Sequence, residues 1–135
     1  MTNRILFLAL FCSLYGCTNQ EIYGTHVIFK NTCADALLIT VTDYSNNHNL
    51  DKFRTNYELT PNKSIEVLLY SSYGQDLSKF VSESYALAIT GSIGTKIIHK
   101  PEIIERLAQT KAQVKYGDSY WHLNAPDLCP LLVGR

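Results

Sequence analysis

Any chemistry in this chain would have to come from its histidines, cysteines and clustered serines. Four histidines are present, His26, His48, His99 and His122. No two stand at the i, i+4 spacing that lets a helix offer paired ligands to a metal. His48 falls in a polar loop, His99 stands close before Pro101, and His26 and His122 fall in strand-like runs. A hydrolytic or metal site would require His99 and His122 to converge with an acidic residue. Cys129, beside Pro130, is the one cysteine that could then serve as a nucleophile. Ser71-Ser72 lacks the Gly-x-Ser-x-Gly turn that activates a serine. Gly91-Ser92-Ile93-Gly94 has the form of a nucleic-acid-binding Gly-x-x-Gly loop, but no basic charge surrounds it. It is also too short for a phosphate loop, which needs two more positions between the glycines. The sequence therefore offers no cofactor motif and no metal-ligand set.

The aromatic content points toward binding instead. Leu69-Tyr70-Ser71-Ser72-Tyr73-Gly74 mixes Tyr, Ser and Gly at an expected strand end and loop. Those residues combine rigid contact area with adaptable hydrogen bonds. Tyr70, Ser71, Ser72 and Tyr73 are thus the candidate partner-binding residues. The competing reading is that Tyr70 packs in the core and Tyr73 covers an edge.

The elements that must hold these residues read mostly as strands. His26–Lys30 is β-rich and ends at the turn-like Asn31-Thr32-Cys33. Ala36–Thr42 places Leu37, Ile39 and Val41 on one face. Asp43–Asp51 is a polar loop. Lys52–Leu59 alternates, with Phe53, Thr55, Tyr57 and Leu59 on one face and charged or polar residues on the other. After the Pro61-Asn62-Lys63 turn, Ser64–Tyr70 returns as a strand with Ile65, Val67 and Leu69 together. Leu77–Ser82 suits a short helical turn. Tyr85–Thr90 is a strand whose second face, Ala86 and Ala88, is small enough for close packing. Gly91–Gly94 turns the chain, and Thr95–Ile98 can add a strand. From Pro101 the period becomes helical, with Ile103, Ile104, Leu107 and Ala108 in one stripe, which predicts one helix of about 10 to 12 residues. Tyr116-Gly117-Asp118 breaks it, and Ser119–Asn124 is the last strand. The expected fold is mainly β: a two-layer antiparallel β-sandwich, immunoglobulin-like or transthyretin-like, with one late α-helix.

At the N-terminus, Asn3-Arg4 precedes the apolar run Ile5–Ser13, which closes on Leu14-Tyr15-Gly16-Cys17. The run is too short for the ~20 residues of a membrane-spanning helix. Leu14-Tyr15-Gly16-Cys17 resembles the lipobox of bacterial lipoprotein precursors, with Tyr15 a departure from the small or β-branched residue usual there. The resemblance implies a signal peptide over residues 1–16, a lipid on Cys17, a tether over residues 17–24 and one domain over residues 25–135. The alternatives are a plain cleaved signal, which would leave Leu14 where a small residue is preferred, or a buried apolar helix with an incidental cysteine. Thr18, where an Asp would imply inner-membrane retention, implies the outer membrane, with the domain facing the periplasm. The mature chain would carry 11 Lys and Arg against 12 Asp and Glu, which leaves nucleic-acid binding without an electrostatic footprint.

The same resemblance bears on the cysteines. With Cys17 acylated and the periplasm oxidising, Cys33 and Cys129 remain to form a disulfide, the alternative being two buried free thiols. In size and layout the chain also looks like the small sandwich lipoproteins that serve envelope machines, including those anchoring type VI secretion systems. That likeness is of architecture, with no specific motif. It implies a non-catalytic binding or assembly module docking an envelope protein. The alternative is a small periplasmic hydrolase or metal-binding enzyme using His99 and His122.

Overall fold

The computed structural model describes residues 21–51, 56–73, 76–124 and 126–130. Residues 1–16, Cys17 and the Lys52–Thr55 half of the alternating run lie outside the described residues. Among the described residues, eight strands form two four-stranded sheets: β1 (Tyr23–Lys30), β2 (Leu37–Thr42), β3 (Tyr57–Leu59), β4 (Ser64–Ser72), β5 (Ala86–Gly91), β6 (Gly94–His99), β7 (Gln113–Lys115) and β8 (Asp118–Leu123). Sheet 1 has the order β4-β1-β8-β7 and sheet 2 the order β3-β2-β5-β6. Among the described residues, all strand-to-strand pairings are antiparallel except β1 with β8, which run parallel. The chain is a mainly β two-layer sandwich.

The layers meet through alternate residues, as the period of two requires. Val27 and Phe29 from β1 face Leu37, Ile39 and Val41 from β2 and Leu87 and Ile89 from β5, all buried. Short helices α1 (His48–Asp51) and α2 (Leu77–Phe80) lie in the connections. A longer helix, α3 (Lys100–Ala108), runs from the end of β6 and buries Ile103 and Leu107. It has Pro101 in its first turn and a Glu102–Arg106 pair one turn apart at 2.7 Å. Both features stabilise a short helix.

Two expectations fail locally. The helix ends at Ala108 after 9 residues rather than about 10 to 12, and Gln113–Lys115 forms β7 instead. Tyr116 and Gly117, with φ of 54° and 90°, make the tight turn of a β7–β8 hairpin. Two left-handed residues in succession match the right-handed twist of paired strands.

The second failure is in β4. Ile65, Val67 and Leu69 do not share a face, because the register against β1 shifts between Val27, opposite Leu68, and Ile28, opposite Glu66. Val67 is therefore an extra residue, a β-bulge. Beyond it the alternation is inverted: Leu68, Tyr70 and Ser72 turn inward, and Leu69 and Ser71 turn outward. The Tyr85 hydroxyl donates to the Val67 carbonyl at 3.2 Å, at a bond length consistent with a satisfied buried pair.

β1 begins at Tyr23, two residues inside the expected tether. At its far end Asn31, fully buried, fixes the following turn. Its side-chain amide donates to the carbonyls of Asp35 and Leu59 at 2.9 and 2.8 Å, and its side-chain oxygen accepts from the Cys33 N–H at 2.9 Å. That turn presents Cys33 to Cys129 in a disulfide with Cα atoms 5.6 Å apart. The partner follows a 3-10 turn, Pro126–Leu128, anchored by buried Leu128.

Candidate functional site

The bulge decides the fate of the Tyr70–Tyr73 segment. Tyr70 is 3% exposed; its hydroxyl donates to the Asp43 carbonyl at 3.0 Å and accepts from the Ser82 N–H at 3.3 Å. Ser72 is also buried. Ser71 and Tyr73 point outward, and Asn46 clamps the Ser71 backbone at both its N–H and its carbonyl, at 3.1 and 2.6 Å. Of the four residues expected to bind a partner together, only Ser71 and Tyr73 are presented to solvent.

His99 and His122 are not brought together. His99 ends β6 in sheet 2 and occupies the N-cap of α3, while His122 lies on β8 in sheet 1 and shares a groove with Arg106, Gln109 and Thr110 from the C-terminal part of that helix and the residues after it. His122 lines an open groove of about 380 Å³ with Arg106, Gln109, Thr110, Leu123 and Asn124. Cys129 is in the disulfide and has no thiol to act as nucleophile.

A polar cluster forms around a different histidine. On the outer face of sheet 1, His26 Nδ1 lies 2.6 Å from Glu66 Oε2 and Nε2 lies 3.6 Å from Asp118 Oδ2. The imidazole stacks on Tyr120 with centroids 4.5 Å apart and planes 9° from parallel. The Tyr44 hydroxyl donates to the other Glu66 oxygen, and the Gly24 N–H donates to Asp118 Oδ1 at 2.8 Å. The two carboxylates sit on opposite ring nitrogens, so they cannot converge on one metal ion. Among the described residues no group of three His, Cys, Asp or Glu is arranged to hold one. The cluster ties β4, β1 and β8 together across their outer face. Its residues lie on three strands with no sequence spacing to reveal them.

A second cluster secures the C-terminal turn. Arg106 reaches both Asp127 oxygens, at 3.4 and 2.7 Å, while Lys96 donates to the Asp127 carbonyl at 3.1 Å. The Arg106 hydrogen bond holds the Asp127 carboxyl below its ordinary pKa, and the same contact raises that of Arg106.

The surface best suited to a partner is the outer face of sheet 2. Register places Leu38, Thr90 and Thr95 in one row across it, Thr40, Ala88 and Ile97 in the next, and Thr42, Ala86 and His99 in the third. Leu38 and Ile97 are 40% and 51% exposed and stand on either side of the small Ala88 and Thr90. Three hydroxyls of this face have partners: Thr90 and Thr95 bond to each other at 2.9 Å, and Thr40 donates to the Asn56 side-chain oxygen at 3.1 Å. Covering it would strand few unpaired polar groups. The alternation of Ala86 and Ala88 with Leu87 and Ile89 is the sequence signal for this face.

In comparisons with known proteins, no family model, no curated protein and no solved structure matches this chain. Among the described residues no helix is long and apolar enough to cross a membrane.

Proposed function

We propose that this protein is a lipid-anchored, non-catalytic binding module of the bacterial cell envelope. It is held at the outer membrane by acyl chains on Cys17, faces the periplasm, and docks a protein partner. The lipobox-like Leu14-Tyr15-Gly16-Cys17 supports the anchor. Two or more acyl chains hold a protein on a bilayer without help from the domain, at about 0.8 kcal/mol per buried methylene.

The observation that carries the docking reading is the outer face of sheet 2. Exposed Leu38 and Ile97 flank a floor of Ala and Thr in which the hydroxyls of Thr40, Thr90 and Thr95 are already paired. Glu58 and His99 are the ionisable residues that the register places at its rim. Such a face fits an apolar, uncharged protein surface, since little charge has to be desolvated.

In-cell photo-crosslinking tests it, with probes at Ile97 and Leu38 and a control at exposed Lys63. A discrete protein adduct at the first two positions and none at Lys63 is the expected result. Equal adducts at all three, or none at Ile97 and Leu38, would remove the basis for this docking face.

A further inference from the structure

Sheet 1 gathers three exposed apolar side chains at one end. The last β1–β4 ladder pair is Tyr23 with Ser72, so Ile22 and Tyr73 follow it on adjacent strands. The parallel β1–β8 pairing brings the tip of the β7–β8 hairpin to the same end, with Asp118 bonded to Gly24 and Tyr116 just beyond. Ile22 is 62% exposed, Tyr73 62% and Tyr116 95%. At about 4.8 Å per strand, the three span roughly 10 Å across β4, β1 and β8.

Tyr116 is not explained by the fold. It holds φ 54°, a left-handed conformation that suits Asn, Asp or Gly better than an aromatic residue. Its ring contact among the described residues is with the Lys115 ammonium, 5.4 Å from the centroid. A rigid two-residue turn thus pushes a tyrosine and a lysine outward at the tip of the sheet.

This is also the end from which the chain leaves toward its N-terminus. Ile22 stands five positions after Cys17, a reach of at most roughly 18 Å when fully extended. If Cys17 carries the lipid, as proposed above, the bilayer lies within that distance of Ile22.

We infer that Ile22, Tyr73 and Tyr116 form a membrane-contacting end that rests in the headgroup layer of the anchoring bilayer and orients the domain. Tyrosine suits that layer, with its ring toward the acyl boundary and its hydroxyl among the headgroups. Asp118, paired with Lys115 across the hairpin, and Glu21, which precedes Ile22, balance the lysine at this end, so contact does not depend on anionic lipid. β1 then stands on the membrane, and its eight residues carry the disulfide end roughly 26 Å outward. The distal part of the sheet 2 face is left free for a partner.

The inference rests on the lipoprotein reading, and one experiment separates their failures. The full-length protein is expressed in cells with a photo-crosslinking residue at Tyr116, Tyr73 or, as control, Ile97. Intact mass reports acylation, and mass spectrometry of the adducts reports lipid or protein. Phospholipid adducts at Tyr116 and Tyr73, absent at Ile97, are the expected result. An acylated protein with no lipid adducts at either tyrosine, or with protein adducts there instead, overturns the orientation alone. A chain without acyl groups overturns the anchor and the orientation with it.

Discussion

His26 Nδ1 lies 2.6 Å from Glu66 Oε2, and the contact depends on the extra residue at Val67. Without the bulge, Glu66 would share the inward face with Leu68. With it, Glu66 turns outward to the ring of His26, whose other nitrogen faces Asp118. Replacing His26 by Ala removes this bond and the stack on Tyr120, and leaves two carboxylates on one face. We expect His26→Ala to cost about 1.5–3 kcal/mol in urea unfolding. Gly24→Ala should also destabilise, since a Cβ there would stand 2.5 Å from Asp118 Oδ1. A loss below about 0.5 kcal/mol for His26→Ala would show that the cluster contributes nothing to strand association.

Cys33 and Cys129 are 96 positions apart and close nearly the whole described fold into one loop. In the chain-entropy account such a link contributes roughly 4–5 kcal/mol by restricting the unfolded chain. Cys33→Ser with Cys129→Ser should therefore lower the denaturation midpoint strongly and leave the far-ultraviolet spectrum of the folded protein unchanged. The same shift should follow addition of a reductant to the unaltered protein. An unchanged midpoint in both experiments would remove the disulfide as a source of stability.

Asp127 gives a pH-dependent signature. The Arg106 hydrogen bond depresses its folded-state pKa. The stabilisation is thus fully present above the ordinary carboxylate pKa and is lost as pH falls through the lower, folded value. Because Asp127 is exposed, the contribution is modest, about 0.5–1 kcal/mol. Asp127→Asn should cost that amount at neutral pH and nothing in strong acid, read from urea unfolding at several pH values. A cost that persists in strong acid would assign the effect to something other than the ion pair.

The sequence and the structure agree where period and turn chemistry act locally. Alternation located β2 and β5, Pro101 marked the start of α3, and Asn31-Thr32-Cys33 marked a turn. They part where long-range register decides. Nothing in Ser64–Ser72 announces that Val67 is supernumerary, so the sequence offers the burial of Tyr70 only as a competing reading, and the bulge decides it in favour of the core. β7 carries a single β-branched residue, Val114, and its pairing comes from the hairpin turn rather than from alternation. The His26 cluster joins three strands and leaves no spacing in the chain. The small face of β5 was legible as Ala86 and Ala88, while its flanking by Leu38 and Ile97 required the sheet order.

That flanking can be separated from stability. Ile97 is 51% exposed, so Ile97→Asp removes little buried area. The unfolding free energy should stay within about 0.5 kcal/mol of the parent protein. The new carboxylate would stand beside Ala88, the residue paired with Ile97. A partner covering this face would have to bury that charge without a counter-ion, which is strongly unfavourable. The protein adduct formed from a probe at Leu38 should therefore disappear in Ile97→Asp. The lipid adduct from a probe at Tyr116, on the other sheet, should remain. Persistence of the Leu38 protein adduct in a stable Ile97→Asp variant would place the partner somewhere other than across β2, β5 and β6.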